Sequence, residues 1–188
     1  MTSSFKAVRS ICGAFALAAW ATFSHTAVAA DISYEAWQRD VEDAVSDVGP
    51  YLQNRLSRGG SNLAIVLDID NTALVSSDFP EEAGRANAPV LEVARWAHEH
   101  GYAILFVSYR SEGARNSTIR ALQGVGYAVD ALCLRNGSGA RAASKQRCRR
   151  ELASSGYTIT ANIGNLDTDL EGGDYEQGFK LPDYGVLQ

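Results

Sequence analysis

Asp68-Ile69-Asp70-Asn71-Thr72 places two carboxylates two residues apart, directly after the wholly apolar run Leu63–Leu67. On a regular strand, residues two apart face one side. At a strand end both can turn toward one site. A carboxylate there can attack phosphorus and form an aspartyl-phosphate. The second can protonate the leaving oxygen and later activate water. Two negative charges beside a phosphate dianion repel it, so such a site needs a cation, and magnesium suits oxygen ligands. Taken alone, an Asp-x-Asp pair reads more simply as a loop with capping aspartates.

Carboxylates of this kind need a scaffold that brings other polar groups to them. Residues 33–58 have helical spacing, with Trp37, Val41, Val45, Tyr51 and Leu56 on one side, Pro50 expected to divide the run, and Gly59-Gly60 stopping it. Residues 63–69 are short and apolar, as a strand buried on both faces requires. Residues 76–87 are polar, contain Pro80 and read as a loop. Residues 89–100 form an amphipathic helix on Val90, Val93, Ala94 and Ala97, with Leu91 and Trp96 at the margins, ended by Gly101. The alternation then repeats: strands at 102–107, 129–134 and 157–163, helices at 112–122 and 142–153, and a last short strand at 179–181. This predicts an α/β fold with a parallel sheet and helices on both faces. Such sheets bind ligands at the carboxyl ends of their strands. Asp68-Ile69-Asp70, Ser108 and Gly164-Asn165 all lie where a predicted strand ends, so three separate strands deliver polar groups to one edge.

The chain has 188 residues, enough for one domain with a full core, and 46% apolar and 21% charged residues are ordinary for a soluble globular protein. A net charge of -5 without a basic stripe argues against nucleic acid as main partner. Residues 1–30 are a different material. Lys6 and Arg9 precede a mostly apolar run at 11–23, and Ala27-Val28-Ala29 supplies a cleavage signal. This order reads as a secretory signal peptide cut near Ala29 or Ala30, leaving residues 31–188 periplasmic or secreted and off the membrane. A membrane anchor is the other reading, but the run is short for a span. Removal of Lys6 and Arg9 leaves 15 basic against 22 acidic residues, a mature charge of about -7. Cys12 leaves with the signal. Cys133 and Cys148 remain and read equally as a disulfide or as two buried thiols; a zinc site is disfavoured because no histidine stands at ligand spacing.

DIDNT resembles motif I (DxDxT) of the haloacid dehalogenase superfamily, and three further pieces follow in that superfamily's order. Ser108 ends ILFVS, Lys145 lies in the basic helix, and Gly164-Asn165-Leu166-Asp167-Thr168-Asp169 resembles the acidic motif GDxxxD. LDIDNTAL, VSYR with Arg110, the Lys145–Arg147 pair and FKLPDY are most similar to the class B acid phosphatase branch, which includes plant acid phosphatases and vegetative storage proteins. The resemblance covers about residues 35–185. It implies one haloacid dehalogenase-like Rossmannoid domain with a minimal cap, and a magnesium-dependent acid phosphatase acting on small phosphomonoesters. Asp68 would be nucleophile and metal ligand. Asp70 would be general acid/base and ligate through its main-chain carbonyl. Ser108, Lys145 and Arg110 would bind phosphate, and Asn165 and Asp169 would complete the magnesium site, with Asp169 ordering Asn165 from behind.

Two positions depart from the usual pattern. Asn165 stands where many relatives carry Asp, which removes a charge but keeps an amide oxygen. Tyr109 replaces a usual Gly; its ring either narrows the site or lies on the surface. Arg110 reads as an anion binder or as the partner of a surface acid. The short insert after the first strand leaves no room for a cap domain, so the site is expected to be open unless the N-terminal helix or a second subunit covers it; a homo-oligomer stays open. Asp167-x-Asp169-x-Glu171 begins like a calcium loop, but Gly178 stands where a bidentate Glu is needed. His98 and His100, two apart on a helix, do not face one another. The rival from another class is a non-catalytic storage or phospho-ligand-binding protein of the same fold, motivated by Asn165 and Tyr109.

Overall fold

A computed structural model describes residues 32–187. The signal-peptide reading falls outside them. Among the described residues no helix is long and apolar enough to cross a membrane.

Helices α1 (Tyr34–Val45) and α2 (Val48–Ser57) precede the first strand, β1 (Leu63–Leu67). Ser33 caps α1 by accepting the Ala36 N–H at 3.2 Å. The break between the helices falls at Ser46-Asp47, not at Pro50. Pro50 sits in the first turn of α2, where a missing N–H costs nothing because that turn has no intrahelical partner for it. There follow α3 (Ala88–Glu99), β2 (Ala103–Ser111), a single 3-10 turn (Glu112–Ala114), α4 (Arg115–Gly124), β3 (Ala131–Arg135), α5 (Arg141–Ser154), β4 (Thr158–Gly164), a short α6 (Asp167–Leu170) and β5 (Gln177–Lys180).

The five strands pair in parallel in the order β3-β2-β1-β4-β5. Side chains of β1 alternate between two cores. Leu63, Ile65 and Leu67 join Trp37, Val41, Leu52, Val90 and Ala94 beneath α1, α2 and α3. Ala64 and Val66 join Leu105, Val107, Cys148 and Leu152 beneath α5. Helices therefore cover both faces, as the alternation of apolar strands and helices demands. A bulge in β4 opposite Ala64 and Ile65 places Ile159 in one core and Ala161 in the other. Cys133 on β3 and Cys148 on α5 form a disulfide, which resolves the two readings of that pair.

Strand β2 runs to Ser111, past the expected end at Ser108. Its regular ladder nevertheless stops at Val107, where the register with β3 shifts, and its pairing with β1 ends at Phe106. Ser108 thus stands where the ladder breaks. The segment between β1 and α3 carries no helix and folds back through bridges of Leu74 with Asp70 and Ala86. Phe79 from this segment stacks on Trp37 at 4.9 Å between centroids, so α1 anchors the loop.

Candidate active site

The chain leaves β1 for β2 on one side and returns to β4 on the other, so strand order reverses at β1. Open α/β sheets form their ligand crevice at such a reversal, at the carboxyl ends of the strands. Asp68 follows β1, Ser108 lies in β2 and Asn165 follows β4. A cleft of about 240 Å³ opens there, lined by Asp68, Asp70, Ser108, Tyr109, Arg110, Arg141 and Lys145.

Asp68 is 6% exposed and continues the sheet, its N–H donating to the Ile163 carbonyl at 3.0 Å. Lys145, 2% exposed, reaches across from α5 and donates to Asp68 Oδ1 at 2.6 Å and to Asp169 Oδ1. Burial pushes the Asp68 carboxyl up to about 7; Lys145 pulls it back and Asp169 adds to the rise. Burial pulls the Lys145 ammonium down, but Asp68 and Asp169 outweigh it and the group is raised. Asp169 accepts the Leu166 N–H at 2.9 Å with its other oxygen, so it holds both Lys145 and the turn after Asn165.

Asp70 faces the cleft from the other side. Arg110 grips both of its oxygens, Nε to Oδ2 at 3.0 Å and a terminal nitrogen to Oδ1 at 2.6 Å. The partner of Arg110 is therefore neither a remote surface acid nor an empty anion hole, but the second carboxylate of the motif. Asn71 makes the turn just after Asp70 with φ of 55°, which Asn tolerates better than most residues. Its side chain donates to Asp78 at 2.6 Å and accepts from the Ser76 N–H at 3.2 Å, pinning the following loop.

The model for "HAD superfamily, subfamily IIIB (Acid phosphatase)" matches residues 5–89 and 81–187. The chain belongs to this family. As a family member it is an acid phosphatase, a hydrolase of phosphomonoesters, and HAD phosphatases generally use a divalent metal. Among solved structures, a class C acid phosphatase from Bacillus anthracis with tungstate bound is similar over 81% of each chain, with a TM-score of 0.65 and 20% identity, which supports the fold. No curated protein matches the sequence.

Among the described residues of this phosphatase, no group of three or more His, Cys, Asp or Glu is placed to hold a metal. The oxygen donors at this sheet edge are instead mixed: the Asp68 carboxylate, main-chain carbonyls and the amide of Asn165, which follows β4 but does not itself line the cleft, all hard donors when the amide presents its oxygen. Asn165 is fully buried. Its Oδ1 accepts from Thr72 Oγ1 at 3.4 Å while its Nδ2 has no partner among the described residues. Turning the amide by half a rotation lets nitrogen donate to Thr72 and leaves the oxygen to act as a donor to a cation. The residues fit a hard divalent cation.

Tyr109 lines the cleft, its hydroxyl donating to the Gly139 carbonyl at 2.5 Å and its ring carrying the guanidinium groups of Arg135 and Arg141. Arg147 does not enter the cleft; it pairs with Glu151 at 2.7 Å. His98 lies near Asp130 and His100 stacks on Trp96, far from a shared ligand.

Sequence reasoning missed two residues. Arg141 precedes Lys145 by four on α5 and shares its face. Arg149 follows Lys145 by four, is fully buried, and donates to the carbonyls of Asp169 at 2.6 Å, Gly173 at 2.8 Å and Glu171. It ties α5 to the loop that carries Asp169. The R-x3-K-x3-R spacing on a helix poor in apolar residues was the available signal.

Proposed function

We propose that this phosphatase is an exported, magnesium-dependent enzyme that works through an aspartyl-phosphate on Asp68. The observation that carries this reading is the buried contact of Lys145 with Asp68 at the rim of the sheet, facing Asp70 across one cleft. Asp68 Oδ1 is held by Lys145, which leaves the other oxygen to attack phosphorus. The Ser108 hydroxyl and the Lys145 ammonium donate to the phosphoryl oxygens, and Arg110 adds a donor once it releases one oxygen of Asp70. Asp70 protonates the leaving oxygen and, in the second half, takes a proton from the water that attacks the aspartyl-phosphate.

Asp68, the Asp70 carbonyl and Asn165 would hold magnesium, with Asp169 arranged behind them. When bound, the ion would offset the negative charge of the carboxylates and the phosphoryl group. The substrate is a small phosphomonoester, as the family implies, and the open cleft, over which no cap domain stands among the described residues, allows broad choice among such esters.

The test is hydrolysis of a chromogenic phosphomonoester by the mature protein. Activity is expected with magnesium, and loss on chelation and in Asp68→Asn. An Asp68→Asn variant as active as the wild type would remove the nucleophile from this scheme. Export is tested by cell fractionation with N-terminal sequencing: the mature chain should begin at Ala30 or Asp31, and a full-length chain in the cytoplasm would refute it.

A further inference from the structure

The three cations of the cleft are not equivalent. Lys145 is engaged by Asp68 and Asp169, and Arg110 by both oxygens of Asp70. Arg141 lines the same cleft, and among the described residues it has no carboxylate partner. Its guanidinium lies 5.5 Å from the centroid of the Tyr109 ring. That ring is itself fixed, by its hydroxyl on the Gly139 carbonyl at 2.5 Å and by Arg135 at 4.8 Å on the ring. The Tyr109 main-chain carbonyl also accepts from Arg135 Nε at 3.3 Å. Arg141 is thus a positioned cation whose hydrogen-bond donors remain free to take a planar anion.

Its place relative to the chemistry follows from the helix. Arg141 opens α5 and Lys145 comes one turn later on the same face. Four residues of helix rise about 6 Å. Lys145 touches Asp68, so the reacting phosphoryl group sits beside Lys145, and Arg141 lies about one turn farther out, toward the mouth. The chain as a whole carries -5, and the exported form about -7, so an anionic substrate must be drawn in by local cations.

We propose that Arg141 binds a second anionic group of the substrate. The preferred substrates are then short phosphomonoesters bearing a carboxylate or another phosphate about 6 Å from the reacting phosphorus. This rests on the phosphatase reading above and adds the substrate class to it. Tyr109 acts as a positioning residue that holds the Arg141 guanidinium in place.

The test compares kcat/KM for three probes: propyl phosphate, the phosphate ester of 3-hydroxypropanoate and the bisphosphate of 1,3-propanediol. The wild type is expected to favour the two probes that carry a second anionic group about tenfold, which is about 1.4 kcal/mol of added binding. Arg141→Gln should bring that ratio close to one, and Arg141→Lys should restore part of it. These two probes separate carboxylate from phosphate as the preferred second group. Equal losses on all three probes in Arg141→Gln would place Arg141 on the reacting phosphoryl group and overturn the proposal. So would a wild type that hydrolyses all three without preference, an outcome that leaves the phosphatase reading intact. Failure to hydrolyse any of them would sink both.

Discussion

Replacing Lys145 by Met keeps the length of the side chain and removes its charge, leaving Asp68 and Asp169 buried without their cation. Asp68 is 6% and Asp169 2% exposed, so water cannot take over. Removing one partner of a buried ion pair costs about 3–5 kcal/mol. For a domain of this size each kcal/mol shifts the melting midpoint by about 2–4 °C, so the variant should melt about 6–20 °C lower. The deficit must depend on pH. Burial already raises Asp68 to about 7 against Lys145, and loss of the lysine raises it further. A carboxyl whose folded value exceeds its unfolded value holds its proton more tightly when folded, so stability falls as pH rises through that interval. The variant should therefore be worst above pH 7 and recover toward the acid side, where the Asp68 carboxyl is protonated. Thermal unfolding followed by circular dichroism from pH 5 to pH 8, with chelator present, measures this. Adding Asp169→Asn to Lys145→Met should restore part of the midpoint. A deficit that is the same at every pH, or no deficit at pH 8, would refute the electrostatic account of this lysine.

A Cβ on Gly164 would overlap the side chain of Asp169, so Gly164→Ala should cost about 1–3 kcal/mol in chemical denaturation and lower kcat by displacing the partner of Lys145. Wild-type stability and turnover would show that Asp169 has room to move. Arg55 pairs with Glu176 at 2.6 Å and 2.9 Å, and these bonds hold the Glu176 carboxyl below its usual value. Solvent screens this pair, so Glu176→Gln should cost at most about 1 kcal/mol. The folded value is depressed, so that difference is fully present above the ordinary glutamate range and should vanish as pH falls through it; a constant difference down to pH 3 would contradict the assignment. The disulfide closes a loop of 15 residues, so the paired change Cys133→Ser, Cys148→Ser should lower unfolding free energy by about 2–4 kcal/mol, read from the denaturant midpoint.

Strand and helix alternation was legible because apolar runs buried on both faces leave little else for the sequence to mean. Leu63–Leu67 is an example: each of its residues is buried, and the two carboxylates follow at once. Boundaries were less legible. Pro50 looked like a break and is a first-turn residue, because proline disrupts a helix only where an N–H would have been used. Ser108 looked like the end of a strand whose backbone continues to Ser111, since only pairing partners, invisible in one sequence, show where a ladder stops. The cysteines could not be resolved because a disulfide depends on two Cα atoms coming within reach, here 5.5 Å. In the site, residue types were readable but pairings were not. That Arg110 holds Asp70, that Asp169 holds Lys145, and that Arg141 and Arg149 flank the lysine all depend on crossings between distant elements.

Strand β1 has a neighbour on either edge and another beyond each. Its amides can exchange with solvent only when ladders on both sides open together, which approaches global unfolding. Deuterium uptake at Leu63–Leu67 should thus be the slowest in the chain and report its total stability. The Asp68 carboxylate, the nucleophile proposed above, hangs from this stiffest part of the backbone, so accommodation of differently shaped esters falls to side-chain rotation and to the loop that Phe79 fastens to α1.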